Sequence, residues 1–215
     1  MRTVTADDRT ARARIRDAAI ARFAADGVAA TSVRSIAENA GVSPALVIHH
    51  FGTKEALRAA CDRHVAAVIR ERKLAAAEAG PQLDPLAALR EHPDEPPLLR
   101  YLARTLVDGT AEVAALVDEL VADAVEYMAV GVESGMLKPS DHPRERAAVL
   151  TVWSLGALVL HEHLDRLLGT DLTGPASGTF RYALPATELL TYGLLPEEIY
   201  MRVRDALGAL TEAGS

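Results

Sequence analysis

Between Thr31 and Lys54 the chain gathers side chains that donate hydrogen bonds or carry positive charge. They are Thr31, Ser32, Arg34, Ser43, His49, His50 and Lys54. No nucleophile–base–acid order can be read among them, so the chemistry on offer is recognition rather than bond breaking. Hydroxyls, imidazoles, a guanidinium and an ammonium suit an anionic, hydrogen-bonding partner. Pro44, Ala45, Leu46 and Ile48 stand among them as apolar neighbours.

The elements that position these groups follow from local signals. Thr31 or Ser32 can cap a helix, because a side-chain oxygen there accepts from an orphan backbone N–H. Val33, Ile36 and Ala37 give that helix a narrow apolar stripe. Gly41 ends it, and Ser43 caps a second helix with Pro44 at its first position. Val47 and Phe51 lie four apart and face one side, toward the first helix. Pro44, Ala45, Leu46, Ile48 and His49 are then left unclaimed by the core. Two short helices with a tight turn and one unclaimed face form a helix-turn-helix pattern. Gly52 breaks the second helix, and Thr53 caps a third that carries Lys54 in its first turn. A cation at the positive end of a helix points to an anionic partner nearby.

The other elements are also helical. Residues 1–9 are polar and expected to fray. A helix spans Thr10 to Asp26, with Ile15, Ala18, Ala19 and Phe23 inward, and Arg12 and Arg16 solvated. The helix from Thr53 runs to about Glu78 with Leu57, Ala60, Cys61, His64, Val65 and Val68 inward, and Gly80-Pro81 stops it. Further helices are expected over Leu83–Arg90, Leu98–Asp108, Ala111–Ser134, Pro143–Leu168, Ala183–Tyr192 and Pro196–Leu210. Loops lie at Glu91–Pro97, Lys138–His142 and Gly169–Phe180. The expected class is all-α. A three-helix module occupies residues 1–57, and a larger helical ligand-binding and dimerisation domain occupies 58–215.

Composition agrees. Of 215 residues, 49% are apolar and only 4% aromatic, so a sizeable helical core is available. The single cysteine, Cys61, excludes an internal disulfide and fits a reducing compartment. The N-terminus has no apolar signal segment. No apolar run reaches the roughly 18–20 residues of a membrane span, so a cytoplasmic location is expected. Net charge is −7, but it is unevenly spread. Residues 1–75 hold 13 Lys and Arg against 8 Asp and Glu; the remainder holds 10 against 22. A basic module on an acidic body suits a polyanion at one end only.

The pattern TSVRSIAENAGVS, then HHF, then TKEAL, preceded by FAADG, resembles the TetR family of bacterial transcription regulators. The resemblance covers residues 10–57; beyond them only the helical architecture matches. It implies a homodimer on a palindromic double-stranded DNA operator, acting as a repressor released by a small molecule. By position it implies Thr31 or Ser32 and Arg34 near phosphate, and Ser43 to His50 as the reading helix. Lys54 would lie on the DNA backbone. Many members carry threonine where this chain has Leu46, and tyrosine where it has Ile48. Hydrogen-bonding readers then reduce to Ser43, His49 and His50. Leu46 and Ile48 are expected to pack on thymine methyl groups, and Arg34 to contact guanine or phosphate.

In the body, Tyr101, Arg104, Tyr127, Trp153 and His161 are candidate ligand contacts, with Asp108, Met128 and His163 beside them. His161, Glu162 and His163 with Asp165 do not have metal-site spacing, since residues two apart on a helix point to different sides. No cofactor is implied, and no G-x-S-x-G, phosphate-cradling glycine loop or C-x-x-C suggests an enzyme. Val149, Leu150, Val152, Trp153, Leu155, Leu158, Val159 and Leu160 exceed the needs of one packed face, which points to pairing with a second copy. The alternative reading is a helical protein-interaction module whose helix-turn-helix packs on protein.

Overall fold

The computed structural model describes residues 6–84, 95–174 and 180–213. Among them are ten α-helices and no strand. We number them α1 (Ala6–Asp26), α2 (Val33–Ala40), α3 (Pro44–Phe51), α4 (Lys54–Ala79), α5 (Glu95–Leu106), α6 (Ala111–Glu133), α7 (Pro143–Val159), α8 (His161–Leu168), α9 (Phe180–Tyr192) and α10 (Glu197–Ala213). A 3-10 turn at Gly80–Gln82 follows α4.

Helices α1 to α3 pack together, and α4 leaves them to run along α6. Helix α5 lies against α1 and α7, and α7 lies against α6. One cluster of buried side chains therefore passes without a break from Ile15, Phe23, Ile36, Val47 and Leu57 into Tyr101, Leu102, Leu116 and Leu158. A smaller cluster of Ala124, Met128 and Ala147 joins α6 to α7. Helix α4 couples the two halves mechanically, because Leu57, Cys61 and Val65 are buried along it in the larger cluster.

Several boundaries differ from those expected. Helix α1 begins at Ala6, four residues before Thr10, because no glycine or proline interrupts backbone pairing there. Helix α5 begins at Glu95, so Pro96 and Pro97 occupy its first turn instead of a loop. Proline is tolerated there because those N–H groups have no partner within the helix. Helix α9 starts at Phe180 and carries Pro185 inside it. The expected helix Leu83–Arg90 lies mostly outside the described residues.

The largest correction concerns the helix expected over Pro143–Leu168. It is two helices, α7 and α8, bent by 73° at Leu160. Leu160 has φ −94° and ψ 21°, between the helical and extended regions. The bend seats His161 Nδ1 3.3 Å from Asp171 in the loop after α8. Asp171 accepts from the backbone and the hydroxyl of Thr173, both at 2.8 Å, which folds the loop back onto α5. Among the described residues no single helix is long and apolar enough to cross a membrane.

Candidate nucleic-acid interface

Helix α3 is held on one side and open on the other. Ser43 accepts from Leu46 N at 3.2 Å, Pro44 fills the first position, and Gly52 closes the helix by donating to Ile48 O at 2.8 Å. Gly52 has φ +77°, a conformation that disfavours any residue with a Cβ. Val47 is 2% exposed and faces α1 and α2, with Phe51 half-buried beside it. Ser43, Pro44, Ala45, Ile48 and His49 face outward. His50 is half-buried, edge-on between His49 and Phe51. Leu46 is not part of the open face. It is half-buried against the core, because α3 is turned so that Leu46 and Val47 both meet the module.

Helix α2 is capped by Ser32, and Ser32 and Ser35 satisfy one another's backbone N–H groups at 3.0 and 3.2 Å. Arg34 stands exposed beside α3 and pairs with Glu38 at 3.0 Å. Its guanidinium is in water, so this ion pair is weak and open to exchange for a stronger anion. Arg12 lies over the Phe51 ring, 5.3 Å from its centroid, and Arg16 pairs with Asp17 at 2.7 Å. Arg12 is exposed, as expected, whereas Arg16 is half-buried and its charge is answered by Asp17.

Two expected contacts turn inward. Thr31 is 2% exposed, and its hydroxyl donates to Gly27 O at 2.7 Å, so it offers nothing to a phosphate. Lys54 Nζ donates to Val28 O at 3.0 Å and Thr31 O at 3.1 Å. The cation at the start of α4 thus finds its electronegative partners in the turn after α1, and no external anion is needed to explain it. Arg104 does similar work from the body, donating from Nη1 to Ala25 O at 3.0 Å. Arg104 answers a carbonyl in the last turn of α1, at the helix's negative end, and Lys54 answers two carbonyls of the turn that follows it. Gly27, at φ +83°, lets the Arg104 guanidinium close in; a Cβ there would lie 3.1 Å from Nε.

The candidate ligand contacts are not brought together. Tyr101 is buried against Phe23, and its hydroxyl donates to Asp62 Oδ1 at 2.5 Å. Burial pushes the Tyr101 phenol and the Asp62 carboxyl up from their ordinary ranges. Arg104 is a strut to α1. Tyr127 is half-buried beside the α6–α7 cluster, and burial raises its phenol as well. Trp153 is 66% exposed on α7, and His161 is paired to Asp171. Arg104 does line an open cleft of about 510 Å³ where the module meets the body, with Phe23, Val28, Lys54, Arg58 and Asp108. In that cleft Arg58 pairs with Asp108 at 3.1 Å, and Lys54 and Arg104 are bonded to backbone carbonyls.

Asp62 and Arg58 had no sequence reading, although both matter to this joint. The available signal was an acidic residue set directly beside Cys61 in an inward stripe. Its partner, Tyr101, lies on another helix and cannot be found by local spacing.

Residues 15–61 match the family described as "Bacterial regulatory proteins, tetR family", and residues 94–196 match "Tetracyclin repressor-like, C-terminal domain". The HTH-type transcriptional regulatory protein RaaS of Mycobacterium tuberculosis is 41% identical over 191 residues, which is 88% of this chain and 89% of RaaS. Among solved structures, Salmonella enterica GusR is similar with a TM-score of 0.54 at 21% identity, over 88% of this chain and 99% of GusR. A tetR-family transcriptional regulator from Streptomyces coelicolor gives a TM-score of 0.57 at 18% identity, over 93% of this chain and 89% of that one. Likeness at such identities speaks for the fold alone. The relative at 41% identity spans both the module and the body, and on that ground the chain belongs to the TetR family, as a transcriptional regulator with a DNA-binding N-terminal domain.

Proposed function

We propose that the chain is a homodimeric repressor that binds a palindromic operator in the cytoplasm and is released by a small molecule. The observation that carries the proposal is the outward face of α3. Ser43, Pro44, Ala45, Ile48 and His49 stand clear on a helix whose other side is sealed by Val47. In this reading α3 enters the major groove, while Ser32 and Arg34 on α2 lie near phosphate. His50 and Lys54 act chiefly by holding the module's shape. The DNA-binding unit occupies residues 1–57, and residues 58–215 bind the effector and the second copy.

Pairing rests on the apolar faces of α7, α9 and α10. Val149, Val152 and Trp153 are exposed on α7, and from Thr187 to Leu207 every described side chain is exposed. Two-fold pairing of these helices would present two copies of α3 to major grooves about 34–36 Å apart. The effector site is assigned to the helical body, with Tyr127 its best-placed polar handle, half-buried at the α6–α7 cluster.

Gel retardation with DNA from upstream of the chain's own gene tests the reading. Specific retardation is expected, with affinity falling steeply as salt rises. Retention of labelled DNA no better than for random DNA would sink it and favour a protein-interaction module. Arg34→Ala sorts that residue's role: a loss uniform over all sequences means phosphate contact, and a loss confined to one base position means readout.

A further inference from the structure

Among the described residues before Val107, Ile48 is the large apolar side chain left exposed, at 47%. The other described Ile, Leu, Val and Phe side chains of the module lie in or against the core. A single exposed isoleucine is ordinary on a protein surface, but this one stands at the centre of the face that the DNA-binding reading turns toward the major groove. Its helical neighbours sharpen what that partner must be. Pro44 and Ala45 lie four and three residues before it on the same face, and neither side chain can donate or accept a hydrogen bond. Leu46, the other apolar candidate, is turned into the module. The middle of the open face is therefore hydrocarbon, flanked by Ser43 at one end and His49 at the other.

The major-groove edges of the four base pairs offer hydrogen-bonding groups and one apolar feature, the C5-methyl of thymine. Against any other edge, Ile48 would cover polar atoms without replacing their bonds to water. We propose that Ile48, backed by Ala45, reads a thymine methyl in each operator half-site and is a main specificity determinant of this protein. The proposal rests on the DNA-binding reading above.

The test begins by selecting sites from a random duplex library with the full-length chain. Each thymine of the selected half-site is then replaced by deoxyuridine, which removes the methyl and leaves base pairing unchanged. At one position per half-site the wild-type chain is expected to bind about four-fold more weakly, the equivalent of burying one methyl-sized group. Ile48→Ala should bind thymine and deoxyuridine at that position equally. Placing a C·G pair there, with cytosine in thymine's place, should weaken wild-type binding, and 5-methylcytosine should recover part of the loss. Circular dichroism confirms that the variant is folded, as its exposed position leads one to expect. No deoxyuridine penalty at any position overturns the proposal, as does a penalty that persists in Ile48→Ala. Failure to select any sequence overturns the DNA-binding reading itself, which the thymine result cannot be confused with.

Discussion

Helix α3 exposes one large apolar side chain, Ile48, on a helix whose back is sealed by Val47. Helices α9 and α10 expose many: Leu184, Leu189, Leu190, Tyr192, Ile199, Tyr200, Val203 and Leu207 among them. The first arrangement is stable as it stands, because α1, α2 and α4 already bury the other side of the module. The second is an extended apolar surface of the kind that marks an association site. A lone exposed isoleucine refines a contact whose strength comes from elsewhere. A continuous apolar face supplies most of the free energy of its own interface.

The strongest test of this contrast is a charge on the larger face. Trp153→Asp on α7 or Leu190→Asp on α9 should reduce the mass in light scattering from two chains to one. Losing the second half-site should then weaken operator binding roughly 100-fold or more, since linked modules gain about that much from joint binding. A variant that stays dimeric and binds normally would break the assignment of that face.

Next comes a pair of neighbours. Val47→Ala should lower unfolding free energy by about 1.5–3 kcal/mol, because it empties a sealed site. Ile48→Ala should change it by no more than about 0.5 kcal/mol, as for other surface positions. Denaturant midpoints decide the matter, and equal losses would mean that α3 is rotated from the position described. A smaller effect is expected at the joint. Arg104→Ala removes an exposed charged hydrogen bond to Ala25 O and should cost about 1 kcal/mol. Hydrogen exchange should quicken in the turn after α1 in that variant, and unchanged exchange there would deny Arg104 its bracing role.

The smallest effect concerns pH. Burial raises the Asp62 carboxyl despite its bond from Tyr101 and the nearby Arg58. The folded chain thus holds that proton to higher pH than the unfolded chain does. Stability from this group is full below the ordinary aspartate value and is lost as pH rises through the raised one. Asp62→Asn keeps an acceptor for Tyr101 without the charge. It should melt higher than wild type at neutral pH, and the gap should close as pH falls toward the ordinary aspartate value. A constant gap would show that the charge is not the cause.

Much of α2 and α3 was legible because its causes are local. Ser43, Gly41 and Gly52 act through bonds to residues three or four positions away, and Pro44 through its fixed φ at the first helical position, so their types and order suffice. The same signals could not choose between Thr31 and Ser32. Adjacent hydroxyls are equivalent as caps until the turn after α1 claims one of them, and here it claims Thr31. Leu46 was misplaced for a related reason. Residues on a helix advance by about 100°, so a neighbour of Val47 sits at the margin of the buried face. Packing, not pattern, decided which way it leaned.

The chain's own residues were enough for the all-α class, the short helices α2 and α3, the caps of the reading helix, and the family to which the first module belongs. Each follows from short-range hydrogen bonding and hydrophobic period. Helix packing alone decided that Arg104 braces the end of α1 and Lys54 the turn after it, that Tyr101 meets Asp62, and that the chain turns sharply at Leu160. Those contacts join residues 23 to 79 positions apart or rest on a bend with no glycine or proline to announce it. Their partners are chosen by the packing of whole helices, which no local spacing encodes.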